Sequence, residues 1–328
     1  MINHLRGRRV LVTGGAGFIG SNVVDALVAE DASVVVYDNL RTGRREFLVD
    51  AIANGATLVE GDLLDQDRLT DSMGGCDTVI HLAANADVRH GLEHPRLDLE
   101  QNTIATSNVL EAMRAQGVRR IAFASTGSVY GEPEVFPTPE NAPFPVQTSL
   151  YGASKLACEG LLAAYATGYE FTALIFRFVS ILGERYTHGH VFDFWKALSE
   201  DPSCLRVLGD GRQEKSYLYV GDCVAGILRG LAEHDGQPGA FIYNLGHTET
   251  VVVDDSIAHI CAELGVNPSI EKTGGQRGWI GDSPLIHLDC SKIRALDWRP
   301  QMGIKEGISA TVRWLSDNPY VIQGDEKS

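Results

Sequence analysis

The segment Val10-Leu-Val-Thr13-Gly-Gly-Ala-Gly17-Phe-Ile-Gly20 constrains this chain more than any other. A short apolar run rich in β-branched residues ends in glycines at 14, 17 and 20, and a helical pattern follows. One glycine makes the tight strand-to-helix turn, one lets the backbone approach a pyrophosphate, and one lets helix and strand pack closely. The exposed N–H groups and dipole of a helix start attract phosphate. Such a loop predicts a dinucleotide site when an acidic residue closes the next strand. Tyr37-Asp38 does so, 18 residues after Gly20. A carboxylate there bonds both ribose hydroxyls and repels a 2′-phosphate, which favours NAD over NADP. Arg41, Arg44 and Arg45 stand nearby and offer the opposite reading, as holders of a 2′-phosphate.

The pattern continues. Val10–Thr13, Ser33–Tyr37, Thr57–Val59, Thr78–Leu82, Arg120–Ala124 and Thr172–Phe176 are apolar strand candidates, with helical stretches such as Asn102 to Gln116 between them. Near-continuous apolar strands are buried on both faces, as in a parallel sheet. Strand, helix, strand repeated predicts an α/β fold with a doubly wound, Rossmann-type parallel sheet. After about residue 177 the alternation weakens, and a smaller irregular region is expected to cover the cofactor. The expected division is 1–180, with 214–245 packing back, for the NAD-binding part. Residues 181–213 and 246–328 form the part that meets substrate.

Tyr151-Gly-Ala-Ser-Lys155 suggests what is done with the dinucleotide. Helical positions i and i+4 lie one above the other. A phenol beside an ammonium is expected to ionise below its free pKa of about 10, because the opposite charge favours phenolate. That makes a general base for an alcohol proton, with a nicotinamide ring to take the hydride.

Composition narrows the setting. The formal charge of −15 disfavours non-specific nucleic-acid or anionic-membrane partners. The six cysteines show no CxxC spacing, which reads as free thiols in a reducing compartment. No apolar run approaches the ~20 residues that span a bilayer, and the N-terminus does not read as a signal peptide. The expectation is a cytoplasmic protein without a membrane partner. His188-Gly-His190 and His90-Gly-Leu-Glu-His94 invite a metal reading, but the HExxH glutamate and a third ligand are missing, so no metal is expected.

These motifs resemble the extended short-chain dehydrogenase/reductase superfamily and, within it, the nucleotide-sugar epimerase/dehydratase family. The resemblance covers nearly the whole chain. It rests on the glycine loop, Gly61-Asp-Leu63, His81-Leu-Ala-Ala84, Ser125-Thr-Gly-Ser-Val-Tyr-Gly131, Tyr151-Gly-Ala-Ser-Lys155, Arg177-Phe-Val-Ser180, Gly209-Asp-Gly-Arg-Gln213 and Tyr219-Val-Gly-Asp222. It implies that Tyr151 is the base, that Lys155 bonds the nicotinamide ribose, and that Thr126 bonds the sugar 4-hydroxyl. It implies cofactor contacts from Gly14, Gly17, Phe18, Ile19, Gly20, Asp38, Asn39, Asp62, Leu63, Leu82, Ala83 and Ala84. Asn102 would help set the Tyr–Lys geometry. Substrate contacts fall to Thr126, Ser180, His190, Lys215, Arg277 and Asp282, and a homodimer through helices near 100–117 and 151–167 is implied. The chain departs from the family at Ser180, usually Asn, and at Lys215, usually Arg, which gives a point charge in place of a fork.

Epimerisation, 4,6-dehydration and decarboxylation share this scaffold and begin by oxidising C4. Family dehydratases carry Asp-Glu directly after the threonine, and decarboxylases usually carry Glu at the second position. Here Gly127 and Ser128 stand there, and neither serves as acid or base at neutral pH. The expectation is therefore NAD-dependent 4-epimerisation of a UDP-sugar through a 4-keto intermediate. Ile286, four residues after Asp282, is smaller than the Tyr of strict hexose epimerases and leaves room for an N-acetyl group. Arg185 is the candidate for a uronate carboxylate, with pairing to Glu184 favoured instead. Decarboxylation or dehydration, a one-way oxidoreductase and a non-catalytic NAD-binding sensor are the alternatives, the last disfavoured because Thr126, Tyr151 and Lys155 are all present.

Overall fold

The computed structural model describes residues 4–86, 91, 93–143, 146–278 and 285–322. The chain builds β1 (Arg9–Thr13), α1 (Phe18–Ala29), β2 (Ser33–Asp38), α2 (Val49–Ala53), β3 (Thr57–Glu60), α3 (Gln66–Ser72), β4 (Thr78–His81), α4 (Pro95–Asp98), a π-helical turn (Leu99–Ile104), α5 (Ala105–Gln116), β5 (Arg120–Thr126), α6 (Leu150–Tyr169) and β6 (Thr172–Phe178). There follow β7 (Ser180–Leu182), α7 (His190–Glu200), β8 (Cys204–Val207), β9 (Glu214–Lys215), β10 (Tyr217–Tyr219), α8 (Val220–Glu233), β11 (Gly239–Leu245), β12 (Val251–Val252), α9 (Val253–Leu264), β13 (Ser269–Lys272), β14 (Leu285–Ile286), α10 (Ser291–Arg294) and α11 (Ile304–Asp317).

Seven strands form one parallel sheet in the order β11-β6-β5-β4-β1-β2-β3. The order reverses between β1 and β4, the switch point where open α/β sheets bind ligands. The strands alternate between two apolar layers. Val10, Val12, Val34, Val36 and Ile80 face one, with Val23, Val24 and Leu27 of α1. Leu11, Val35, Val79, Ile121 and Phe123 face the other, with Val109 and Met113 of α5 and Leu162 of α6. This is why the strands read as unbroken apolar runs.

The seventh strand, β11, escaped the sequence reading. It is an edge strand, and only its last three residues are buried, so its pattern is weak. The helix expected from Asn102 begins at Ala105, because Leu99–Ile104 makes a π turn that holds Asn102. Gly117, at φ +73°, ends α5 in the left-handed conformation that glycine adopts without strain.

The later elements build small sheets, β7 with β10, β8 with β13, and β9 between β12 and β14. Helices α7, α9 and α11 pack on one another. Their apolar residues, among them Trp195, Ile260 and Ile308, continue the layer that also holds α1 and one face of the main sheet.

Candidate active site

The glycine loop is a set of close backbone approaches. Gly14 sits at φ +67°, and a Cβ there would lie 2.6 Å from Ala83 N. A Cβ on Gly20 would lie 2.0 Å from Gly14 O. Gly17 N donates to Gly14 O at 3.1 Å, and no side chain caps the start of α1, so the N–H groups of its first turn, from Phe18 on, are left for a phosphate. Asp38 is buried at the end of β2 and accepts Ala16 N at 2.9 Å and Leu40 N at 2.8 Å. Burial raises its pKa, while these two donors lower it. Asn39 donates to Asp62 Oδ2 at 3.1 Å, which joins the ends of β2 and β3. Arg44 is spent on Val321 O and Arg45 on Glu60, so two of the three arginines that suggested a 2′-phosphate are engaged elsewhere.

Leu63 is buried, and its carbonyl accepts Asn108 Nδ2. Leu82 N donates to Thr13 O at 3.1 Å, and Ala83 N to Thr13 Oγ1 at 3.4 Å, with half-buried Ala84 following. Phe18 packs edge-on against Tyr186 with ring centres 5.3 Å apart, and half-buried Ile19 follows it. The residues named for the cofactor thus lie at the carboxyl ends of β1 to β4 and on the start of α1.

Thr126 ends β5. Its Oγ1 accepts Ser128 N at 3.1 Å, capping the short 3₁₀ turn Gly127–Tyr130. Thr126 Oγ1 also donates to Ser128 Oγ at 3.2 Å, and the Thr126 side chain is among the groups that act on the phenol of Tyr151, the second residue of α6. Ser149 caps α6 by accepting Gly152 N at 3.0 Å. One turn beyond Tyr151, buried Lys155 donates to Ala124 O at 2.8 Å.

One expectation is corrected here. Lys155 Nζ lies 6.0 Å from the Tyr151 ring centre and does not depress the phenol. Burial pushes the Tyr151 pKa above its usual value, the Asp98 carboxylate raises it further, and the nearby Thr126 hydroxyl pulls the other way. Burial also lowers Lys155 to about 8. Desolvation disfavours the charged form of both groups and outweighs their attraction.

Asn102 is fixed from several sides. It accepts Asn85 N at 2.8 Å and donates to Ser154 Oγ at 2.9 Å, and Ser154 in turn donates to Tyr151 O. Asp98 accepts Asn85 Nδ2 at 2.9 Å. His81 bridges Thr13 at 2.7 Å and Thr106 at 3.0 Å, and burial first, Lys155 second, lower its pKa to about 3. Sequence reading missed these partners of Asn85, Asp98 and His81. The His81-Leu-Ala-Ala84 motif marked the place but not the contacts, which span 25 and 68 residues.

Three of the residues named for substrate converge. Exposed Ser180 pairs in register with Tyr217. His190 lies 4.7 Å from the Tyr217 ring and contacts Ser256 Oγ at 2.8 Å; burial, then Lys215, lower its pKa to about 3. Tyr217 and Ser256 were not named from sequence. Arg277 is joined to Glu132 at 2.7 Å, at the loop that follows Tyr130. Asp282 lies outside the described residues. Arg185, at φ +70°, pairs with Asp25 of α1 at 2.7 Å rather than with Glu184, whose carboxylate accepts Tyr219 OH. The two described histidines of the 188–190 pair have separate neighbours, His188 the Tyr186 ring and His190 Ser256. Among the described residues no three His, Cys, Asp or Glu converge on a metal site, and no helix is long and apolar enough to cross a membrane.

A switch-point glycine loop, a carboxylate closing β2, and a Thr–Tyr–Lys set on β5 and α6 define a dinucleotide-dependent enzyme of the short-chain dehydrogenase type. Residues 10–246 match the NAD dependent epimerase/dehydratase family, and the chain belongs to it. It is similar to the UDP-glucose 4-epimerase of Mycolicibacterium smegmatis, 33% identical over 94% of this chain and 98% of that one. A Thermus thermophilus UDP-glucose 4-epimerase solved with NAD superposes with a TM-score of 0.83 at 34% identity, covering 94% and 99% of the two chains. A dTDP-glucose 4,6-dehydratase from Streptomyces venezuelae bound to NAD gives 0.86 at 29% identity, covering 94% and 97%. The fold therefore does not by itself choose the reaction.

Proposed function

We propose that this protein is an NAD-dependent UDP-sugar 4-epimerase. The observation that carries the reading is a pocket at the Gly127–Ser128 turn, directly after Thr126, with no carboxylate among the described residues that line it. That pocket is bounded by Gly127, Ser128, Tyr130, Phe136, Ile286 and His287, among others. Among the described lining residues the titratable ones are Tyr130, tied to Arg177, and His287. Dehydration across C5–C6 needs an added acid and base, and the described lining residues include no carboxylate to serve as one.

When bound, NAD supplies the hydride acceptor and a positive ring charge. Gly14, Gly17 and Gly20 admit its pyrophosphate, and Asp38 meets its ribose. Thr126 orients the sugar 4-hydroxyl, and Tyr151 takes its proton. Tyr151 would give the proton back to the 4-oxygen when the 4-keto sugar is reduced on its other face by the hydride first removed from C4. The partner chemistry on the substrate side is a nucleoside diphosphate held by Lys215 and Arg277.

Ile286 beside Gly127 and Ser128 supports acceptance of an N-acetyl substituent as well as glucose and galactose. Arg185, already paired with Asp25, speaks against a uronate as the natural substrate. We also propose a cytoplasmic homodimer. The exposed face of α6 is a run of small residues, Ala157, Gly160 and Ala164, next to α5 and exposed Leu99 and Ile104. The six unpaired cysteines fit a reducing compartment.

The test is incubation with UDP-glucose, UDP-N-acetylglucosamine and UDP-glucuronate separately, followed by NMR and mass spectrometry. A 4-epimer of unchanged mass is expected from the first two. Loss of water or carbon dioxide would overturn the reading.

A further inference from the structure

We propose that Glu159, clamped by Arg177, is a positioning residue for the Tyr151–Lys155 pair, locking the catalytic helix to the strand end that carries Thr126. The inference rests on the reading that Tyr151 and Lys155 act on the bound sugar.

Glu159 stands one turn beyond Lys155 on α6, and neither it nor Arg177 reaches solvent, with side chains 5% and 1% exposed. Arg177 grips it with two parallel bonds, Nε to Oε1 at 3.0 Å and Nη2 to Oε2 at 2.6 Å. Ser125 Oγ donates to the same Oε1. Lys155 meanwhile donates to Ala124 O. Two residues one turn apart on α6 thus hold consecutive residues of β5, and the next residue is Thr126. Arg177 is the register partner of Ser125, so the clamp ties β6 into the same joint. Its Nη1 donates to Tyr130 OH at 2.7 Å and Glu140 O at 3.0 Å, and Tyr130 OH donates to Asn244 Oδ1 at 2.8 Å. The network therefore covers the turn after Thr126 and reaches β11.

Stability alone is a poor reason for such a pair. Burying two charges carries a large desolvation cost, and an apolar pair of similar volume is often as stable or more so. What an apolar pair lacks is a planar, two-pronged geometry that fixes helix against strand. Misplacement of reacting groups by about 1 Å costs on the order of 100-fold in rate.

The clamp also places a negative charge near Lys155. The groups acting on Lys155 are Cys158 and Glu159 from its own helix and Asp98 from α4, all favouring the ammonium, against burial, which disfavours it. Tyr151 on the same helix, Phe123 of β5 and His81 of β4 complete the surroundings. Arg177 stands behind Glu159 on β6. Removing Glu159 takes away one of the charges that keep Lys155 protonated.

The test is the double variant Glu159→Leu/Arg177→Met. We expect a folded protein by circular dichroism with a melting temperature near that of the wild type. Its kcat should fall about 10- to 100-fold, and the alkaline limb of the kcat profile should move to lower pH. NADH fluorescence titrations should lose affinity at lower pH than in the wild type. Wild-type kcat and an unmoved alkaline limb in the folded variant would overturn the proposal. Should the protein lack 4-epimerase activity altogether, the NADH titration still reads Lys155, and an unmoved pH dependence overturns the proposal independently. Ser125→Ala removes a single hydroxyl and decides the anchoring role if the double variant does not fold. There kcat should fall about fivefold with KM and alkaline limb unchanged, and a wild-type kcat would overturn the proposal.

Discussion

Tyr151→Phe removes one oxygen from the centre of the proposed chemistry. Tyr151 is not part of either apolar core cluster, so the variant should fold and still bind NADH. Turnover should fall at least about 1,000-fold, within the range general bases contribute, and an assay near wild-type rate would refute the assignment. The two buried histidines make a separate claim about pH. His81 and His190 have folded pKa values of about 3, below their unfolded values, so the unfolded chain binds more protons between about pH 3 and 6.5. Stability is therefore fully present above pH 6.5 and lost as pH falls toward 3, by on the order of a few kcal/mol for His81 alone. Urea midpoints should drop steadily from pH 7 to 5, and His81→Gln should flatten that slope. Lys155 acts in the alkaline range. Its folded pKa of about 8 lies below the unfolded 10.5, so its contribution to stability rises with pH across that window.

Among the elements, the β1–loop–α1 unit is the least forgiving. Gly20 has no room for a Cβ, which would lie 2.0 Å from Gly14 O. Gly20→Val should displace the loop and weaken NADH binding more than 10-fold, as an order-of-magnitude expectation for a lost phosphate cradle. Asp38→Ala should also weaken NADH, with a smaller loss of fold because only two backbone donors lose their acceptor. Fluorescence titration of both variants separates the effects, and unchanged affinity in either would contradict the site. The glycine spacing was legible in the sequence because close backbone approach is written as missing side chains. The π turn was not, since Leu99–Ile104 carries an ordinary helical pattern and its irregularity comes from the contacts of Asn102.

Over the whole molecule, the later half of the chain is fastened to α1. Asn22 Nδ2 reaches Glu184 O at 3.3 Å, Asp25 pairs with Arg185, and Phe18 packs on Tyr186. The loop from Gly183 to Gly189 is thereby tied to the helix whose start is proposed to receive the pyrophosphate. The opposite side presents α6. Gly160 is exposed, and a Cβ there meets nothing within 4 Å, so a large side chain fits the lone chain without strain. Gly160→Arg should leave the monomer folded and break the proposed homodimer. Light scattering after size-exclusion chromatography checks this, and an unchanged dimer mass would move the interface elsewhere.

The sequence by itself determined the fold class and the glycine loop that follows β1, and it named Asp38, Thr126, Tyr151 and Lys155 for the proposed site. Each is a local pattern, a spacing of glycines, a strand end or two residues a helical turn apart, and local patterns survive in one dimension. Only the tertiary structure decided that Arg185 meets Asp25, that Arg277 meets Glu132, and that Tyr151 ionises less readily than its neighbouring ammonium suggests. These outcomes depend on which segments meet across the fold and on how much water is excluded where they meet. The clamp of Glu159 by Arg177 is of the same kind, because its members lie 18 residues apart and become partners only when β6 is laid beside β5 under α6.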